Sequence, residues 1–296
     1  MFYYFDYQEP VFRPPSEARS LIFQITIGCS QNHCTFCGMY KHKTFRIRPV
    51  SEIVAEMEQV PRHHRSWVQR VFLADGDALV YPQEHLVEIL QHLQRFFPQL
   101  NRVGVYASPN SLRTKTVAEL EILKQEKLRI LYFGLESGDE ATLAKVNKGF
   151  SPDEMLNLCQ KAKQAGLKLS VTAILGLAGQ QRSVEHARAT AAWVNALSPE
   201  YFSLLTLFVR HNDDFLRSIE PLTYGGILQE TVELLENLQP HKTIFRSNHI
   251  SNALALAGSY PKDRERLIVE AAAALEAGRD NPEWFNSLPS YREDLF

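Results

Sequence analysis

The chain has 296 residues, 45% hydrophobic and 22% charged, with a net charge of −2 at pH 7. That is an ordinary globular composition, with no global basic field to draw nucleic acid or an anionic membrane. No apolar run approaches the ~20 residues needed to cross a bilayer, and the opening stretch "MFYYFDYQEPVFRPP" lacks the basic and apolar regions of a secretory leader.

Residues 1–20 read as a lead-in arm with an aromatic face. From residue 21 two textures alternate. "LIFQITI" (21–27), "RVFLAD" (70–75), "RVGVYAS" (102–108), "RILYFGLE" (129–136), "LKLSVTAILG" (167–176) and "EYFSLLTLFV" (200–209) are short apolar runs rich in β-branched and aromatic residues. Such runs predict buried parallel strands, and the 3.6-residue patterning between them predicts covering helices. Ser51 before Glu52, and the run Ser151-Pro152-Asp153-Glu154, supply helix start signals. Gly166 sits where a helix C-terminal cap belongs. Six βα units in succession predict an α/β fold, a partial (βα)6 TIM-like barrel over residues 21–210. Residues 211–296 lose that rhythm and form a C-terminal α/β extension, with a helix at 226–238, a strand at 242–246 and a last helix at 262–277.

Cysteine is concentrated in one place. "GCSQNHCTFCGMY" (28–40) holds three of the four cysteines, Cys29, Cys34 and Cys37, in C-x4-C-x2-C spacing directly after the first predicted strand. This is not the spread pattern of a disulfide framework, and it fits thiols kept for a metal in a reducing cytoplasm. Structural zinc takes four protein ligands, so Cys159, His33 or His42 would have to join. A ferredoxin uses the same spacing plus a fourth cysteine, but Cys159 is far along the chain and reads as a small buried hydrophobe. A disulfide would leave an odd thiol. Three thiolates on a cubane [4Fe–4S] cluster would leave one iron open to a small molecule.

With the βα rhythm around it, this loop resembles that of the radical S-adenosylmethionine (SAM) enzymes, whose three cysteines follow the first strand of a partial (βα)6 barrel. The commonest family spacing is one residue shorter in the first gap. The look is nearest the coproporphyrinogen oxidase-like and Elp3/MiaB-like catalytic cores. The resemblance implies a [4Fe–4S] cluster and SAM as cofactors, with Cys29, Cys34 and Cys37 as cluster ligands and Phe36 in its usual place before the last of them. It implies SAM contacts at later strand ends: Asp75, Gly76 and Asp77 in "ADGDAL" for the methionyl amine, Ser108 and Asn110 in "SPN", Glu136 and Ser137 in "GLESG" for the ribose, and Gly176 in "AILGLAG" near adenine. Without the cysteines, Asp77 and Glu136 could equally be capping or solvated carboxylates. The resemblance also implies a low-potential electron donor, flavodoxin- or ferredoxin-like, and a substrate that loses a hydrogen atom to a 5′-deoxyadenosyl radical. With only Cys159 left over, the sequence argues against an all-cysteine auxiliary cluster. Arg210 and His211 beyond the sixth strand, and the polar run Ser247, Asn248, His249 and Asn252, are substrate candidates, the latter also readable as a capping loop. No membrane or nucleic-acid partner is indicated, and the expected location is the cytoplasm.

Overall fold

The computed structural model describes residues 5–291. The six apolar runs form β1 (Leu21–Gln24), β4 (Arg70–Ala74), β5 (Arg102–Ala107), β6 (Leu128–Glu136), β7 (Lys168–Leu175) and β8 (Tyr201–Thr206). Two short strands intervene, β2 (Thr26–Ile27) and β3 (Arg46–Ile47), and two follow, β9 (Ile244–Ser247) and β10 (Leu256–Ser259). A mostly parallel eight-stranded sheet has the order β1-β4-β5-β6-β7-β8-β9-β10, which does not close on itself among the described residues. The pairs from β1 to β6 that register Leu21 with Val71, Val71 with Val103 and Val105 with Leu131 are parallel. β10 runs antiparallel on β9.

The chain divides into two compact units. The first takes residues up to Asn32, Tyr40–Phe133 and Leu158–Leu169, and the second takes His33–Met39, Gly134–Asn157 and the chain from Ser170 onward. In the first, the helix Gln83–Phe96 buries Leu86, Ile89, Leu90 and Leu93, an i, i+3, i+4, i+7 stripe. Burying each such side chain stabilises by about 1.5–3 kcal/mol. In the second, β7 and β8 pair from Ser170–Tyr201 to Leu175–Thr206, and the helix Tyr224–Asn237 buries Ile227, Leu228, Leu234 and Leu235.

Three local readings change. The run 21–27 is not one strand: β1 stops at Gln24, and Thr26–Ile27 pairs antiparallel with Arg46–Ile47 instead. Ser51 does not cap its helix, which begins at Val50 after Pro49 and has no side-chain cap. A strand at Leu256–Ser259 was not expected. The Ser151 signal is seen as a reciprocal pair: Glu154 N–H donates to Ser151 Oγ at 3.2 Å and Ser151 N–H donates to Glu154 Oε2 at 2.8 Å.

Candidate functional site

In the first unit the chain leaves β2 at Gly28, whose φ of +74° suits only glycine well, and reaches Cys29, half-buried. Asp75, at the end of β4, holds this turn. Its Oδ2 accepts from Gly28 N at 2.9 Å, Gln24 Nε2 at 2.9 Å and Lys43 Nζ at 3.0 Å. Burial pushes the carboxyl above its ordinary range, against those three donors. Its Oδ1 is buried with no hydrogen-bond partner. At Gly76 the backbone runs so close to the loop that a Cβ would lie 2.6 Å from the Tyr40 ring and 3.0 Å from Cys29 Cβ. Asp77 is engaged by protein: Ser108 donates to it through N–H at 2.8 Å and Oγ at 2.7 Å, and Ser30 Oγ donates as well. Burial raises this carboxyl too. Ser108 also caps the helix Pro109–Arg113, and Asn110 Nδ2 donates to Ser30 Oγ at 3.1 Å. Asp77, Ser108 and Asn110 therefore bind one another and the cysteine loop.

In the second unit Cys34 and Phe36 are buried in an apolar cluster with Val146, Leu177, Leu207 and Phe215, and Cys37 packs against it. The Phe36 ring meets Phe215 edge-on at 6.4 Å. The loop backbone is pinned by Thr35 N–H to the Val146 carbonyl at 2.9 Å and by Asn212 Nδ2 to the Cys37 carbonyl at 2.9 Å. A Cβ on Gly38 would fall on the Arg210 carbonyl. Burial pushes the Cys37 thiol up to about 11, with Cys34 and Glu136 adding to the rise and Met39 N–H and Lys148 opposing it. A metal must displace that proton to bind.

Glu136 ends β6 with φ +66° and pairs with Lys148 Nζ at 3.0 Å. Ser137 Oγ lies 2.8 Å from His186 Nδ1. Gly176, at φ +80°, donates its N–H to Glu230 Oε1 at 2.7 Å, and Ser183 Oγ donates to Glu230 Oε2. His186 Nε2 lies 3.1 Å from the Ile174 carbonyl and 3.7 Å from Glu230. The sequence reading missed Lys43, Lys148, His186 and Glu230. Glu230 had a signal: it falls on the apolar face of its helix, three residues after Ile227 and four before Leu234.

Of the substrate candidates, Asn252 is tied to strand ends. Its Nδ2 donates to the Leu204 carbonyl at 2.8 Å and to Ser247 Oγ at 3.0 Å, and its Oδ1 accepts from Thr206 Oγ1 at 3.0 Å. His249 Nδ1 lies 2.8 Å from Ser251 Oγ, and burial lowers its pKa. Asn248 is exposed. Arg210 Nε lies 3.4 Å from His211 Nε2, and His211 is exposed with φ +57°.

None of the four cysteines forms a disulfide among the described residues, and Cys159 is fully buried on the helix Pro152–Gln164. Among the described residues no three His, Cys, Asp or Glu side chains converge as ligands of one metal ion. A cubane places its thiolates on separate irons and does not require that convergence. Within the first unit Cys29 lies against Gly76, near an Asp75 oxygen that has no hydrogen-bond partner, and within the second Cys34 and Cys37 sit at one apolar cluster; thiols are the donors a [4Fe–4S] cluster takes.

A mostly parallel βα sheet with three cysteines in the loop that follows its first strands defines a class of partial-barrel proteins. Residues 23–191 match the radical SAM superfamily, and the chain belongs to it. The superfamily uses a [4Fe–4S] cluster and SAM, and its enzymes need a reductant and a substrate. The chain is 29% identical over 152 residues to a provisionally named methylthiotransferase of Methanocaldococcus jannaschii, covering 48% of this chain and 32% of that protein. It is 23% identical over 195 residues to the heme chaperone HemW of Bacillus subtilis, covering 62% and 50%. The coproporphyrinogen III oxidase HemN of Escherichia coli shares the fold, with a TM-score of 0.55 at 20% identity over 73% of this chain and 52% of that one. The chain thus spans half or less of the length of these two curated relatives. No helix among the described residues is long and apolar enough to cross a membrane.

Proposed function

We propose that the protein is a radical SAM enzyme in which Cys29, Cys34 and Cys37 hold the [4Fe–4S] cluster and leave one iron for SAM. Reductive cleavage of SAM at such a cluster supplies a 5′-deoxyadenosyl radical that removes a hydrogen atom from an organic substrate. Around it the chain's own residues bind and orient. Asp75 receives the methionyl ammonium on its unpartnered oxygen, while Gly76, where a Cβ would strike the Tyr40 ring and Cys29, lets the end of β4 lie against the cysteine loop. Glu136 and Ser137 face the ribose, and the Gly176 turn, anchored by Glu230, passes the adenine. Asp77, Ser108 and Asn110 act one step back, by fixing Ser30. Phe36 walls the cluster within an apolar cluster. Holding the substrate and excluding water is the protein's main contribution to such chemistry. His249, Asn252, Arg210 and His211 are the substrate-side candidates, a flavodoxin- or ferredoxin-like protein is the electron donor, and the cytoplasm is the setting.

The observation that carries this reading is the set of three unbridged thiols on the first βα loop, with the fourth cysteine sealed elsewhere. Anaerobic reconstitution should give about four irons per chain, and reduction with SAM should release 5′-deoxyadenosine. Cys34→Ala protein that still cleaves SAM would reject the ligand assignment. The likeness to HemW favours a second reading, a cluster protein that carries heme without turnover. Heme titration followed by a SAM-cleavage assay separates the two: stoichiometric heme without 5′-deoxyadenosine selects the carrier.

A further inference from the structure

Lys43 touches the site above only through Asp75 Oδ2, yet it is only 8% exposed. An ammonium has three donors, and here three acceptors meet it: Asp75 Oδ2 at 3.0 Å, the Pro10 carbonyl at 2.7 Å and the Gln8 carbonyl. Two of those acceptors belong to the N-terminal arm. Gln24 doubles the link, since Gln8 N–H donates to its Oε1 at 2.9 Å and its Nε2 donates back to the Gln8 carbonyl at 3.1 Å. The same Gln24 Nε2 reaches Asp75 Oδ2. One buried carboxylate therefore joins the arm, β1, the Gly28 turn before Cys29 and the segment returning from the cysteine loop.

Apolar contacts run the length of the arm. Phe5 packs on Phe23 at 5.2 Å, the Tyr7 hydroxyl donates to the Ile22 carbonyl at 2.8 Å, and Phe12 meets the Tyr40 ring edge-on at 5.6 Å. Tyr40 is the ring that abuts Gly76 beside Cys29. A strap held by ring contacts and one hydroxyl bond alone would open readily. A buried ammonium that would lose two acceptors if the arm lifted makes that opening costly.

We infer that Lys43 is a positioning residue that clasps the N-terminal arm against the entry and exit of the cysteine loop, so that the arm keeps water and oxygen from the cluster beside Cys29. The inference rests on the cluster assignment above. Its test uses two readouts on the full chain. Hydrogen exchange of amides in residues 7–13 of the metal-free protein should speed up about tenfold in Lys43→Met, the loss of roughly 1.4 kcal/mol of closure, while the helix Gln83–Phe96 stays protected. In reconstituted protein the visible cluster absorbance should bleach in air at least severalfold faster in Lys43→Met. Phe12→Ala, which spares the ion pair, should also accelerate bleaching and keeps the test open if Lys43→Met fails to fold. Unchanged arm exchange in Lys43→Met overturns the clasp. Faster arm exchange with unchanged bleaching overturns the shielding. Wild-type protein that takes up no iron overturns the cluster assignment and the shielding with it, and the exchange result still decides the clasp.

Discussion

Replacing Glu230 by leucine tests whether a buried acid holds the Gly176 turn. The side chain is fully enclosed and accepts from Gly176 N–H at 2.7 Å and from Ser183 Oγ, with His186 Nε2 at 3.7 Å. Hydrogen bonds to a charged acceptor contribute about 1.5–3 kcal/mol each, so two lost bonds cost about 4 kcal/mol. Relief from burying a carboxylate offsets about 1–2 kcal/mol of that. Leucine should therefore cost about 2–3 kcal/mol in urea unfolding followed by circular dichroism. Glutamine can accept from Gly176 and donate to Ser183, and should cost under about 1 kcal/mol. A pH series adds a sign. Burial raises the Glu230 carboxyl above its ordinary value, with His186, Ser183 and Gly176 opposing, so the folded state holds the proton longer than the unfolded chain. Its share of stability is full below the ordinary carboxylate range and is lost as pH rises through the raised value. His186 and Tyr291 also lie in its field. Glu230→Gln should flatten that slope. A leucine variant within about 0.5 kcal/mol of wild type, a difference ordinary for an inconsequential substitution, would refute the reasoning.

Cys29→Ala and Cys37→Ala should each join Cys34→Ala in losing iron on reconstitution. Cys159→Ala should keep it and cost on the order of 1 kcal/mol in unfolding. Gly38→Ala forces its Cβ onto the Arg210 carbonyl and should cost about 1–3 kcal/mol by the same assay. Asp139 is buried, which would raise its carboxyl, but the Arg182 guanidinium and two donors from Thr142 prevail and hold it at about 2. The stability it contributes is present above its ordinary value of 3.8 and lost as pH falls toward about 2. Asp139→Asn should remove that acid-side loss in unfolding curves measured between those limits.

The six strands and the thiol loop were legible because each is a local pattern: an apolar run, a spacing, a glycine after a strand. The split of 21–27 was not, because Thr26–Ile27 takes an antiparallel partner some twenty residues on, Arg46–Ile47, while the Thr26 carbonyl still accepts from Asp75 N–H. Asp75 and Asp77 sat at the expected strand ends, but nothing local says that one is tied to Lys43 and the other to Ser108. Such pairings depend on which strand ends become neighbours. Glu230 could have been suspected from its place on an apolar helix face, whereas its acceptor role at Gly176 needed the sheet.

Cys29 stands between two residues that answer to separate enclosed acids: Gly28 N–H to Asp75 and Ser30 Oγ to Asp77. Both ties are internal to the polypeptide and need no inorganic part to form. The path of the chain on either side of this thiol is thus written into two carboxylates of the polypeptide itself, and removing either one frees one flank of it.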